Sequence, residues 1–175
     1  FTHYYGGYKA QYIYRASELT ALGLVEGSNI SSLAFDVTTA GTTYTGFTLS
    51  LGLTSATVAT TTFNTATLTQ VYTGNYNVSA TGLTNIAFGT GAGSSSTFTW
   101  DGSSNIVVNL CWSNNNGGGT AAEVKYDTTS FVAMAYYRVD STLPAAVCSA
   151  TSATTLSNRP KMVFGYNYSV PGTFL

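Results

Sequence analysis

Residues 100–112 read Trp-Asp-Gly-Ser-Ser-Asn-Ile-Val-Val-Asn-Leu-Cys-Trp, and they confine the chain to a narrow set of folds. A polar turn at Asp101-Gly102 opens the run, and strict two-residue alternation follows. Ile106, Val108, Leu110 and Trp112 fall on one face, while Val107, Asn109 and Cys111 fall on the other. That period, carried by β-branched and aromatic residues, predicts a half-buried strand with other strands packed beside it. The same alternation recurs at Leu33, Phe35 and Val37 within 30–38, and through Phe47, Leu49, Leu51 and Leu53. Further strands are expected over 10–15, 71–78, 84–88, 96–100 and 161–168, the last with Met162, Phe164, Tyr166 and Tyr168 on one face.

Punctuation between these runs sets the connections. Residues 123–126 and 131–140 predict a hairpin across Asp127-Thr128-Thr129-Ser130. The Gly/Ser-rich stretch 89–96 and Asn114-Asn115-Asn116-Gly117-Gly118-Gly119 read as surface loops. The Thr-rich segment 54–69 reads as a loop that admits an edge strand, and 141–158 as a long Ala/Ser/Thr connection. One short helix is expected near 17–22, with Ser17 as its cap, Glu18 at its positive end and Gly23 as its stop. About ten short strands and one short helix give an all-β, antiparallel two-sheet sandwich of jelly-roll type. With no internal repeat or interdomain linker, 1–175 reads as a single domain, with 1–9 and 169–175 as extended terminal arms.

Composition narrows the function classes. Charged residues make up 7% of the chain, against about a quarter in an average domain, and Thr, Ser, Asn, Gly and Tyr take their place. Six scattered Lys and Arg in a net charge of −1 exclude a phosphate-binding surface, so no nucleic-acid partner is expected. No apolar run reaches the roughly 18 residues of a membrane helix, so no membrane insertion is expected. Phe1-Thr2-His3-Tyr4 has neither the charged nor the apolar region of a signal peptide, so the chain reads as a mature form or a piece of something longer. The surface composition is that of a secreted protein. In that setting Cys111 and Cys148, 37 positions apart, read most simply as one disulfide; two reduced thiols are the alternative.

Several stretches resemble a known module. Gln11-Tyr12-Ile13-Tyr14-Arg15-Ala16-Ser17-Glu18-Leu19 and Ile30-Ser31-Ser32-Leu33-Ala34-Phe35 resemble the opening of a β-sandwich module of Bacteroidota surface proteins secreted by the type IX system. Phe98-Thr99-Trp100-Asp101-Gly102-Ser103-Ser104-Asn105 and Asn158-Arg159-Pro160-Lys161 are similar to its middle and end. The resemblance implies an extracellular, cell-surface location within adhesins, gliding-type filaments or accessory regions of secreted enzymes. It brings no catalytic motif.

The residues themselves offer little chemistry. His3 is the only histidine, and no Gly-x-Ser-x-Gly elbow occurs, so no catalytic residues are assigned and no enzyme is expected. Asp36 reads as solvated, and Asp101, Asp127 and Asp140 as turn residues. No metal or other cofactor is expected, although the oxygens of Asp101-Gly102-Ser103-Ser104-Asn105 could contribute to a structural Ca²⁺ site. Tyr4, Tyr5, Tyr8, Tyr12 and Tyr14 are candidate contacts: they could meet a neighbouring subunit, stack on sugar rings, or simply pack in a strand. Trp100 and Trp112 read as core. Asn29, Asn77 and Asn167 begin N-glycosylation sequons, and Asp127-Thr128-Thr129 and Asp140-Ser141-Thr142 make Thr128 and Ser141 candidate O-glycosylation sites. The expectation is a non-enzymatic extracellular surface module, self-associating or joined to neighbouring domains in a filament or adhesin. A carbohydrate-binding module, with glycans as partners, is the alternative.

Overall fold

The computed structural model describes residues 4–118 and 122–168. Its strands are β1 (Gly7–Tyr14), β2 (Asn29–Thr39), β3 (Thr43–Thr54), β4 (Thr69–Asn77), β5 (Gly82–Ala87), β6 (Phe98–Thr99) and β7 (Asn105–Ser113). They continue with β8 (Glu123–Val124), β9 (Tyr126–Thr128), β10 (Met134–Val139), β11 (Thr154–Leu156), β12 (Asn158–Pro160) and β13 (Met162–Asn167). Two short helices, α1 (Ala16–Ala21) and α2 (Pro144–Cys148), complete the described elements. The large sheet runs β11-β10-β1-β7-β3-β4. In the second sheet β2 is central, with β13 and then β8 along one side and β5 and then β6 along the other. A ribbon of β9 and β12 pairs separately. All strand pairings are antiparallel, and the chain is an all-β sandwich, as its alternation predicts.

The core lies between the two sheets. Tyr12, Leu49, Leu51, Val108, Leu110 and Trp112 of the large sheet belong to one apolar cluster with Ile30, Leu33, Phe35, Ile86 and Phe164 of the other. Burying each such aliphatic side chain contributes about 2 kcal/mol. Trp100 is buried at the entry to β7, and its indole N–H donates to the Ser104 carbonyl at 2.7 Å. The Asp101 carboxylate closes the same turn by accepting from the Ser103 and Ser104 N–H groups and the Ser104 hydroxyl. Gly102 has φ +79°, and a Cβ there would stand 2.8 Å from Glu26 Cβ, so the turn requires glycine.

Strand β7 has the two faces its alternation predicts, but both are covered. The outer face of the large sheet lies under a clasp formed by residues 55–66 and 143–153. The Cys111–Cys148 disulfide fastens α2 to β7 there. The two clasp segments are joined by Phe63 N–H to Thr151 O at 3.0 Å and Ala153 N–H to Thr61 O at 2.8 Å. Beneath them runs a buried polar row. The Lys9 ammonium donates to the Cys148 and Ala150 carbonyls at 2.8 and 2.7 Å, with the Phe63 ring 4.4 Å away. Gln11 exchanges two hydrogen bonds with the Asn64 backbone and donates a third to Asn109. Burial pushes the Lys9 pKa below its ordinary value, because the paired groups are neutral carbonyls.

Other expectations need correction. Helix α1 starts two residues earlier than a Ser17 cap requires: Arg15 is the N-cap, and its N–H donates to Glu18 Oε2 at 2.8 Å. A carboxylate at N3 serves the N-cap amide better than a serine inside the first turn can. Gly23, at φ +91°, ends this helix with bonds from Gly23 N–H to Thr20 O and Leu24 N–H to Leu19 O. Helix α2 falls in the segment read as a plain connection; Pro144 at its first turn is the signal that was available. The expected 123–140 hairpin does not form. Instead β8 pairs with β2, β9 with β12, and β10 with β1, because β1 needs a partner on its outer edge. Residues 7–9 are no terminal arm but part of β1, between β10 and β7; the 169–175 arm lies outside the described residues.

Candidate functional site

Ribbon β9–β12 gathers the ion pairs of the described residues. Among the described residues there are three ion pairs, and all of them border this ribbon: Arg159–Glu18, Lys161–Asp127 at 3.2 Å, and Lys125–Asp36 at 2.7 Å. With Arg15 beside them, they account for seven of the thirteen charged residues of the chain. A cleft of about 490 Å³ runs between the ribbon, the end of α1 and the outer face of the second sheet. Leu22, Leu83 and Val163 line it alongside Glu18, Asp36 and Asp127. Its charges are balanced pair by pair, and the two lysine pairs are too exposed to be worth more than about 1 kcal/mol each.

Arg159 is the best-held charge. Its guanidinium donates to the Ile13 carbonyl and to both Glu18 oxygens, and lies 4.0 Å from the centre of the Tyr14 ring. Burial opposes ionisation of Glu18. Hydrogen bonds from Arg159 and the Arg15 amide, with the guanidinium charge, outweigh that penalty and hold its pKa below the usual carboxylate value.

On the other side of β12 lies a pocket of about 190 Å³, where the β10–β11 edge of the large sheet meets the ribbon. Its floor carries two buried phenols. Tyr8 donates to the Met134 sulfur at 3.9 Å, and burial raises its pKa to about 12. The neighbouring Tyr12 hydroxyl is fully buried and meets no partner at hydrogen-bond geometry among the described residues. Burial also raises its pKa well above the ordinary value, so both phenols stay neutral. Tyr126, 59% exposed, lines the pocket with Leu156, Pro160, Arg159 and Asn158. An aromatic face, aliphatic walls and a few polar tips are the elements from which sites for small hydroxylated ligands are built.

The five N-terminal tyrosines do not form a shared surface. Tyr8, Tyr12 and Tyr14 alternate onto the inner face of β1 and are buried, as the strand-packing alternative has them. Tyr8 and Tyr12 reach ligand space only as the pocket floor. Tyr4 and Tyr5 are exposed, Tyr5 with Arg138 5.0 Å from its ring centre. Thr128 on β9 and Ser141 in the loop after β10 are both exposed, so a glycan could be attached at either. His3 lies outside the described residues. The Asp101 oxygens are occupied by their own turn rather than arranged around a cation. No group of three or more His, Cys, Asp or Glu among the described residues is placed to hold a metal ion.

Sequence reading missed Tyr126 and the Arg159–Glu18 pair as site residues. Asn158-Arg159-Pro160-Lys161 stood out only as part of a resemblance; a cluster of three charged or amide residues around a proline, in a chain so poor in charge, was the available signal. Fold and site together define a disulfide-clasped all-β sandwich with a tyrosine-lined pocket. Comparison of the chain with protein-family models, curated proteins and solved structures returned no match.

Proposed function

We propose that the chain is a non-enzymatic extracellular recognition module that binds carbohydrate in the pocket beside Tyr126. One observation carries this reading: the exposed Tyr126 ring and the Asn158 amide line one pocket of about 190 Å³. A sugar ring needs that combination, an apolar face to cover its C–H groups and polar tips for its hydroxyls. The carboxylates support the non-enzymatic part. Arg159 holds the Glu18 carboxyl below the usual carboxylate range, whereas glycoside hydrolysis requires one protonated acid. The disulfide clasp suits an oxidising, cell-surface setting. The test is a polysaccharide pull-down and glycan array with wild type and Tyr126→Ala. The variant should retain the wild-type circular dichroism and lose at least about tenfold in affinity, or about 1.4 kcal/mol. Equal binding by both proteins would refute this placement.

Self-association into a filament or adhesin array is the second reading, and a different surface favours it. The outer face of β13-β2-β5 exposes Leu83 (65%) and Val163 (50%), and β5 and β13 are sheet edges among the described strands. Fibres or oligomers seen by electron microscopy and light scattering, and lost in Leu83→Lys, would establish it. A monomer at every concentration would reject it.

A further inference from the structure

We infer that Glu18 sets the charge selectivity of the Tyr126 pocket, so that it takes an uncharged sugar ring and turns away a uronate. This rests on the carbohydrate reading above. An arginine lining a sugar pocket ordinarily offers a planar fork for a carboxylate, bound through two parallel N–H···O bonds. In this molecule the fork is already filled. The two terminal nitrogens of Arg159 bond both oxygens of Glu18, and one of them also bonds the Ile13 carbonyl.

Glu18 is itself fixed from the opposite side. As the third residue of α1 it accepts the Arg15 backbone N–H at 2.8 Å, so swinging away would also uncap the helix. Arg159 is held in turn by the Tyr14 ring at 4.0 Å, and it is 9% exposed. The pocket therefore has an arginine in its wall without an available positive charge. A uronate entering it would meet a neutral ion pair and two neutral phenols, and its carboxylate would be desolvated with no free cation to offset the cost. A neutral hexose faces no such penalty. Its hydroxyls can use the Asn158 amide in the pocket wall.

The experiment uses the full chain at pH 7 and saturation-transfer NMR. The probes are methyl glucopyranoside, methyl galactopyranoside and methyl mannopyranoside, with the matching methyl uronates. Wild type should bind a neutral member at least tenfold more tightly than its uronate. Glu18→Gln, which keeps the side-chain shape and releases the guanidinium charge, should shift that ratio at least tenfold toward the uronate. The wild-type preference is measured independently of how well the variant folds. Uronates bound by wild type as well as neutral sugars, or an unmoved ratio in folded Glu18→Gln, would overturn the role of Glu18 and leave the sugar site standing. No binding of any probe would remove both.

Discussion

Removing the disulfide tests whether the outer clasp stabilises the fold by tethering the chain. Cys111 and Cys148 enclose a loop of 37 residues, and the chain-entropy relation gives about 4 kcal/mol for a cross-link of that span. A 175-residue domain unfolds with an entropy of about 0.37 kcal/mol/K, so the loss should lower Tm by about 10 °C. The variant is Cys111→Ala/Cys148→Ala, which leaves no lone thiol to rearrange. Differential scanning calorimetry reads the shift, and hydrogen exchange locates it. Only the clasp should gain exchange in the native state, because β1, β7 and β3 keep their ladder bonds on both sides. A Tm drop below about 3 °C would refute the tethering argument. It would mean that Lys9, Gln11 and the bonds between the clasp segments hold that layer unaided.

Two further predictions concern buried charge. The pKa of Glu18 is depressed in the folded state, so its contribution is fully present above the unfolded carboxylate value of about 4.3 and is lost as pH falls through the folded value. Tm measured from pH 7 downward should therefore fall more steeply below about pH 4 in wild type than in Glu18→Gln; parallel curves would exclude the linkage. Lys9→Met fills similar space but leaves the Cys148 and Ala150 carbonyls without their donor, so urea unfolding should show a loss of about 1–3 kcal/mol. An unchanged midpoint would show that water or a shifted backbone satisfies those carbonyls.

Legibility in the sequence followed the range of the forces involved. Strand β7 was readable residue by residue, because alternation is set by the pleat and needs no knowledge of the partner. Its burial on both faces was not, because the cover comes from residues 55–66 and 143–153, whose Thr and Ala content carries no period. The Trp100 turn was legible for the same local reason, each of its bonds lying within four residues. The pocket was illegible. Tyr12, Tyr126 and Asn158 come together only through three separate pairings, and a tyrosine in a strand pattern looks alike whether it faces a core or a cavity. Arg159 and Glu18 were each visible as rare charges, but nothing local ties β12 to the first turn of α1.

The place of β1 in the large sheet bears on how the molecule comes into being. Tyr8 pairs with Trp112 on one side and Arg138 on the other, both on the order of 100 positions or more downstream. Strand β1 therefore waits for β7 on one edge and for β10 on the other before both edges are satisfied. Until then it is an apolar strand with two open hydrogen-bonding edges, able to pair with any other chain in the same condition. Slow, all-or-nothing acquisition of structure follows from that topology. It makes crowding of unfinished copies the chief hazard in producing the chain.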